Sequence, residues 1–169
     1  MSQLKALRFR VTNFRNIEDS GWVPLDRVTV LVGRNESGKT ALLKALHKFN
    51  PASVLPYEPQ QEFPRDRFTR DYHADSPIPV CAVEFELGQE LRKTLREILG
   101  DAEPPRHLTL TRLYTGKRYY AWDLKPDESD ASPKVVTKAL DTLKSAALRI
   151  EALSPDLEVA AAQLRTDLS

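Results

Sequence analysis

Residues 28–40 read Val28-Thr29-Val30-Leu31-Val32-Gly33-Arg34-Asn35-Glu36-Ser37-Gly38-Lys39-Thr40, and this stretch decides the fold. Its second part matches the pattern G-x-x-x-x-G-K-[ST] at every fixed position. Its first part is β-branched and almost wholly apolar, which predicts a strand buried on both faces. Four apolar residues then recur at helical spacing: Leu42, Leu43, Leu46 and Phe49. The sequence therefore predicts a strand, a glycine-containing loop and a helix.

This order of elements favours phosphate binding. A strand that turns sharply into a helix leaves several backbone N–H groups unpaired and directed at one point, where they form a cradle for an anion. Gly33 and Gly38 would permit positive φ values and a close approach of the backbone. Lys39 would reach the β- and γ-phosphates of ATP, and the Thr40 hydroxyl would hold a Mg²⁺ that bridges them.

The composition is that of an ordinary soluble domain, and it restricts the partners. The chain has 169 residues, 41% of them hydrophobic and 29% charged, with a net charge of +1, so the total charge does not call for nucleic acid or an anionic membrane. The single cysteine, Cys81, excludes an internal disulfide and is predicted to be buried on a strand. No apolar stretch approaches the roughly 18 residues of a membrane span, and no signal-peptide pattern occurs. We expect a cytoplasmic protein.

Residues 1–50 contain two further extended segments before the loop. Apolar and polar residues alternate over 7–12, which predicts a strand with one buried face, and Asn13-Phe14-Arg15-Asn16 then turns the chain. A second short extended segment is predicted over 22–25. The helix after the loop should end near Asn50-Pro51, because proline cannot continue a helix.

The rest of the chain divides into three parts. Residues 51–79 contain six prolines without clear periodicity and predict a long irregular loop, a kind of segment that often has a function. Residues 80–125 predict a strand, a short amphipathic helix and a β-hairpin. Residues 132–169 predict two helices with heptad-like stripes, which either pack on the sheet or begin a coiled coil. We expect a single α/β P-loop lobe over 1–169, with a mixed sheet, a β-hairpin flank and C-terminal helices.

The carboxylate that hydrolysis requires is not evident in the sequence. A site of this class needs an acid at the end of a second buried strand, where it positions Mg²⁺. The best match is Asp123, but it lies in the predicted hairpin and not on a strand parallel to the loop strand. None of the six glycines are adjacent, so the sequence has no Leu-Ser-Gly-Gly signature loop. We therefore expect the isolated chain to bind ATP and hardly to hydrolyse it.

Residues 4–17 and 28–46 together resemble the N-terminal lobe of the ABC-type ATPases of chromosome maintenance and repair, the SMC and RecF-like proteins. The form Asn35-Glu36-Ser37-Gly38-Lys39-Thr40 and the stretch Phe63-Pro64-Arg65-Asp66-Arg67 look closer still to the ATPase half of the OLD (overcoming lysogenisation defect) family. The resemblance implies an AAA- or ABC-like ATPase that uses ATP and Mg²⁺ in DNA metabolism, repair or phage defence. It also implies a second ATPase lobe or subunit, as in a dimer.

The resemblance further implies the roles of individual residues. Those expected to bind the nucleotide are Arg15, Asn16, Gly33, Asn35, Glu36, Ser37, Gly38, Lys39, Thr40 and Ala41, of which Lys39 is also catalytic and Thr40 a metal ligand. Gln60 and Gln61 are the candidates for a glutamine that senses Mg²⁺ and the attacking water. The family's second-strand acid, its signature loop and the Toprim nuclease domain of OLD proteins have no counterpart in this sequence.

Two sets of cations mixed with aromatic residues are candidates for contact with single-stranded DNA. The first set is Arg65, Arg67 and Arg70 with Phe68 and Tyr72; the second is Arg106, Arg112, Lys117 and Arg118 with Tyr114 and Tyr119. Solvated faces are the favoured interpretation of both, and DNA is a secondary hypothesis. The three histidines, His47, His73 and His107, have no metal-ligand spacing.

The sequence thus favours an ATP·Mg²⁺-binding lobe of an ABC- or OLD-like ATPase that is completed by another lobe or subunit. Two alternatives stay open. One is a self-contained P-loop phosphotransferase, whose catalytic acid would be Asp66 or Asp71. The other is a nucleotide-binding interaction module whose C-terminal helices recruit a partner.

Overall fold

The computed structural model describes residues 4–33, 38–51, 55–99 and 103–122, together with 137–139, 141–142 and 145. The helices and strands follow one another as β1 (Leu4–Phe14), β2 (Ile17–Pro24), α1 (Lys39–Phe49), α2 (Pro59–Glu62), α3 (Phe68–Asp71), β3 (Pro79–Leu87), α4 (Gln89–Leu99), β4 (His107–Leu113) and β5 (Arg118–Trp122). The predicted first strand, its turn, the strand at Cys81, the short amphipathic helix and the β-hairpin are confirmed.

The five strands form one antiparallel sheet in the order β2-β1-β3-β4-β5. In the first pair, Phe9 lies opposite Val23 and Phe14 opposite Ile17. The α/β character predicted from the sequence is confirmed, but the expectation of a mixed sheet is wrong for the described strands. The reason is that the segment expected to run parallel to a neighbour, residues 28–32, is not part of the sheet.

Residues 28–32 contradict the prediction of a strand buried on both faces. They form no regular secondary structure, and Val28, Val30 and Val32 are 79%, 74% and 91% exposed. The segment follows a turn in which the amide of Asp26 donates to the Thr29 hydroxyl at 3.0 Å. A strand that is apolar on both faces is stable only between two neighbouring strands and two covering layers. In the described part of the chain, these valines have neither neighbouring strands nor covering layers around them.

The chain is built from two compact units. One combines Ala6–Phe85 with Thr109–Ala121, and it holds α1, α2, α3 and most of the sheet. The other is built on Glu86–Leu108 with residues from both ends of the chain, and it holds α4, which buries Leu91, Leu95 and Leu99. The candidate site lies wholly within the first unit.

The core of the first unit contains the alternating inward residues of its strands. Phe9, Val11 and Phe14 of β1 and Val83 of β3 are buried. Cys81 is also buried on β3, as the sequence predicts, and burial raises the pKa of its thiol.

An aromatic cluster of six residues packs beside these strands: Phe14, Tyr57, Phe63, Phe68, Tyr72 and Tyr114. Four of its rings come from residues 51–79, the stretch expected to be irregular. This stretch contains the short helices α2 and α3. Its four aromatic residues therefore contribute apolar area to the core, with Tyr57 and Phe63 buried, although the stretch is rich in proline.

Helix α1 ends at Phe49, as the Asn50-Pro51 signal predicts, and a side chain far along the sequence caps it. Arg112 of β4 donates from Nη1 to the Lys48 carbonyl and, at 3.2 Å, to the Phe49 carbonyl. Its Nη2 donates to the Leu55 carbonyl at 3.4 Å. A cation at the C-terminal end of a helix stabilises carbonyls that have no partner within the helix. Burial lowers the pKa of this guanidinium.

Most of the two C-terminal helices predicted over 132–169 lies outside the described residues. Residues 137–139, 141–142 and 145 are helical, and Ala139 is buried. Asp123 also lies outside the described residues.

Replacing Val30 with lysine tests the exposure of segment 28–32. Because the side chain is 74% exposed, we expect the free energy of unfolding to change by less than about 0.5 kcal/mol. The control is Val83→Lys in β3, where a buried ammonium should cost at least about 3 kcal/mol. Urea denaturation measures both changes, and losses of similar size would contradict the exposed placement of Val30.

Replacing Arg112 with methionine tests the cap on α1. The loss of charge-assisted hydrogen bonds to three carbonyls should lower the free energy of unfolding by about 2–4 kcal/mol. Arg112→Lys should recover only part of this, because an ammonium lacks the planar fork of donors. In urea denaturation, Arg96→Met on the exposed face of α4 serves as the control, and an equal loss for both methionine variants would contradict the cap.

Candidate nucleotide-binding site

The site is built at the start of α1. Gly38 precedes the helix with a φ of 89°, and its carbonyl accepts the first helical hydrogen bond, from the Leu42 amide at 2.8 Å. Only glycine adopts this left-handed conformation without steric cost. The N–H groups of Lys39, Thr40 and Ala41 are in the first turn, where a helix offers them no internal partner. The helix therefore presents donors and the positive end of its dipole at this point.

Lys39 brings the two ends of the loop together. Its Nζ donates to the Gly33 carbonyl at 2.6 Å, so the first and last parts of the G-x-x-x-x-G-K-[ST] pattern are in contact. An ammonium that holds a neutral carbonyl can exchange it for a phosphate oxygen, which is a stronger, charge-assisted partner. Asn35, Glu36 and Ser37 lie outside the described residues, and their roles stay predictions.

The turn between β1 and β2 lies against the start of the helix. A Cβ added to Gly38 would come within 3.3 Å of Ile17 Cγ1 and 3.5 Å of Asn16 Nδ2. Asn16, predicted from the resemblance to lie near the nucleotide, is therefore beside the loop. Arg15 is exposed, and its guanidinium lies 5.7 Å from the Phe14 ring centroid. Asn16 is close enough to Gly38 to border a nucleotide, and the contacts of both residues with it stay predictions.

A buried carboxylate, Glu62, joins this turn to α1. Lys48 Nζ lies 2.6 Å from Glu62 Oε1, and the Glu58 amide donates to Oε2 at 2.9 Å. The Glu62 carbonyl accepts a hydrogen bond from the Arg15 amide. The neighbouring Gln60 and Gln61, proposed as Mg²⁺ sensors, are exposed on α2. The short helix α2 thus links α1 to the turn between β1 and β2.

Two buried tyrosines donate to backbone carbonyls near the site. Tyr114 Oη donates to the Asn13 carbonyl at 2.6 Å, and Tyr57 Oη donates to the Ala45 carbonyl of α1 at 2.7 Å. Burial raises the pKa of both hydroxyl groups, so each stays a donor at physiological pH. No local sequence pattern marks Glu62 or the hydrogen bond of Tyr114. Lys48 and Arg15 lie far from Glu62 along the chain, and Asn13 lies far from Tyr114.

The first arginine set is largely neutralised by acids. Arg67 Nε and Arg70 Nε each donate to Asp71 at 2.7 Å, and Arg67 also pairs with Glu18 at 3.1 Å. The hydrogen bond from Arg70, then that from Arg67, holds the pKa of the Asp71 carboxyl well below its usual range. Asp71 is therefore a poor proton acceptor, which weakens the phosphotransferase alternative. Phe68 and Tyr72 stack on each other with centroids 4.9 Å apart.

The second set also has structural partners. Arg112 caps α1, and Tyr114 is buried in the aromatic cluster. Arg106 lies 3.4 Å from Glu103. These contacts favour the interpretation that both sets stabilise the fold rather than bind single-stranded DNA.

The described residues contain no group of three or more His, Cys, Asp or Glu side chains that could hold a metal ion. The Thr40 side chain is exposed in the first turn of α1, where its hydroxyl is an oxygen ligand of the kind Mg²⁺ prefers. A metal at this position would depend on phosphate oxygens and water for its other ligands.

The chain was compared with known protein families. The model of the AAA ATPase domain family matches residues 7–100, which is more than half of the chain and includes the loop, α1 and the turn beside them. A search of curated proteins found no match. In the described residues, no helix is both long and apolar enough to cross a bilayer.

Replacing Gly38 with alanine tests whether ATP binding depends on the close approach of the β1–β2 turn to Gly38. A Cβ at φ 89° would be strained and would meet Ile17 Cγ1 at 3.3 Å, so ATP binding should weaken at least about tenfold. Gly21→Ala is the control, because Gly21 also has a positive φ, of 62°, but nothing lies within 4 Å of its added Cβ. Calorimetric titration with ATP and Mg²⁺ measures both affinities. Equal weakening in the two variants would contradict a special role for Gly38.

Proposed function

This chain belongs to the AAA ATPase domain family, and we propose that it is the ATP·Mg²⁺-binding lobe of an ABC- or OLD-like ATPase. The observation that carries the proposal is the start of α1. There a left-handed Gly38, a lysine in contact with Gly33 and the N-terminal end of a helix, with its dipole, coincide within the matched region. In this proposal the lobe hydrolyses ATP only together with a complementing lobe or subunit.

Each residue at the start of α1 has one task in the proposed complex. The first-turn N–H groups and the helix dipole bind the phosphate oxygens. Lys39 leaves the Gly33 carbonyl and holds the β- and γ-phosphates, where it stabilises negative charge that develops during transfer. Gly38 keeps the backbone close enough for these contacts. Asn16 and Arg15 border the nucleotide from the turn between β1 and β2.

Magnesium would be held by the Thr40 hydroxyl together with phosphate oxygens. When bound, the ion neutralises charge on the β- and γ-phosphates. Thr40 lies one residue after Lys39 on the first turn, so the same helix end positions both the lysine and the metal ligand. The sequence offers no second-strand acid for this ion, which is why we assign that acid to another lobe or subunit.

The exposed segment 28–32 supports the need for a complement. It leads directly into the loop, and its three valines are apolar and open to solvent. An almost wholly apolar segment next to the site gains most by pairing with a strand and being covered on both faces. In our proposal the complementing lobe supplies that strand and carries the missing carboxylate at its end.

The wider role is proposed from the resemblance to SMC, RecF-like and OLD proteins: DNA metabolism, repair or phage defence in the cytoplasm. The contacts of the arginines in the two candidate sets indicate which part of the ATPase would bind DNA. Because Arg67, Arg70, Arg106 and Arg112 are engaged with acids and carbonyls, we assign DNA contact to the complementing part of the ATPase.

Replacing Lys39 with alanine tests the proposed function. The loss of a charge-assisted contact with two phosphates should weaken ATP binding by about ten- to a hundredfold. Lys44→Ala, on the exposed face of the same helix, is the control and should bind ATP like the parent. Calorimetric titration measures the affinities. Parent-like binding by Lys39→Ala would show that the loop is not the site, and rapid ATP hydrolysis by the isolated parent would contradict the need for a complement.

A further inference from the structure

The turn that borders the proposed nucleotide site is strained. Asn13 and Arg15 have φ values of 53° and 56°, in the left-handed region that residues with a Cβ avoid. Asparagine tolerates this region better than most residues, but arginine gains nothing from it. Two such residues within three positions persist only where surrounding contacts hold the turn in place.

Two hydrogen bonds from distant parts of the chain hold this turn. Tyr114 Oη donates to the Asn13 carbonyl at 2.6 Å, and the Arg15 amide donates to the Glu62 carbonyl. They fix main-chain groups on both sides of Phe14, which is fully buried. The strained backbone is therefore fixed at three successive residues.

Tyr114 is itself held rigidly. Its ring packs with centroid distances of 5.9 Å to Tyr57, 5.8 Å to Phe63 and 6.0 Å to Tyr72. Its amide donates to the Ile78 carbonyl at 3.1 Å. The hydroxyl is thus a fixed point from which the turn is positioned, and its hydrogen bond acts on the strained backbone.

The held turn continues directly into the residues that meet Gly38. The place where a Gly38 Cβ would be lies 3.3 Å from Ile17 Cγ1, closer than ordinary van der Waals contact, and 3.5 Å from Asn16 Nδ2. We propose that Tyr114 is a positioning residue of the nucleotide site: its hydroxyl holds the strained turn so that Asn16 lies against Gly38 at the start of α1. This inference rests on the proposed function, because it assigns Tyr114 a role in the affinity of that site for ATP.

Tyr114→Phe and Tyr57→Phe form a matched pair for the test. Each removes the hydroxyl of one tyrosine of the aromatic cluster, which donates to a backbone carbonyl, and each keeps the ring. Both should lower the melting temperature by a similar amount, about 3 °C. Only Tyr114→Phe releases the turn, so it alone should weaken ATP binding, by about fivefold, in calorimetric titration of the full chain.

A spectroscopic measurement separates positioning from general destabilisation. The chain has six glycines, so glycine-selective ¹⁵N labelling gives few amide signals. Without nucleotide, Tyr114→Phe should shift the Gly38 signal and Tyr57→Phe should leave it unchanged. An unmoved Gly38 signal in Tyr114→Phe, or equal losses of ATP affinity in the two variants, would overturn the inference.

A second pair of variants reaches the turn without altering the cluster. Asn13→Ala and Asn13→Gly both lose the hydrogen bond from Asn13 Nδ2 to the Pro79 carbonyl, at 3.3 Å, but only alanine raises the strain at this positive φ. ATP affinity should therefore fall in Asn13→Ala and stay closer to that of the parent in Asn13→Gly. If Tyr114→Phe does not fold, equal ATP affinities in the two Asn13 variants overturn the inference. Lys39→Ala distinguishes the two failures. It binds ATP as tightly as the parent if the proposed function is wrong, and it still binds ATP more weakly if only the role of Tyr114 is wrong.

Discussion

The candidate site depends on one close approach, that of Gly38 to Asn16 and Ile17. A Cβ at position 38 would meet Ile17 Cγ1 at 3.3 Å, closer than ordinary van der Waals contact, so the Ile17 side chain would have to shift. Because glycine permits this contact, the first-turn N–H groups, Lys39 and the turn share one small region. The aromatic cluster, Glu62 and Arg112 then fix the pieces around it. Much of the first unit of the fold can be understood as support for this contact.

The support acts on both ends of α1. At its C-terminal end, Arg112 binds carbonyls, and the Lys48–Glu62 ion pair links the helix to α2. Near its start, the turn is held by Tyr114 and by the Glu62 carbonyl. A buried ion pair of this kind adds little net stability, but breaking it by removing one partner is costly. Its value here is geometric, since Glu62 ties helix and turn to the same short element.

Local signals were enough to predict α1, β3, α4 and the β4–β5 hairpin, because periodicity, glycine and proline act over a few residues. Residues 28–32 could not be predicted in the same way. Their pattern indicates a buried strand, but burial depends on neighbouring strands, which the described chain does not provide. The contacts of Tyr114 with Asn13 and of Arg112 with Lys48 join residues 101 and 64 positions apart, and no spacing rule connects them.

The most direct test of the central claim is the response of the glycine amide signals of the parent to ATP and Mg²⁺. If the nucleotide binds between Gly33 and the start of α1, the signals of Gly33 and Gly38 shift on titration, while those of Gly21 in β2 and Gly116 between β4 and β5 stay in place. Shifts confined to glycines outside the loop, or no shift at saturating ATP, would contradict the assignment of this loop as an ATP site.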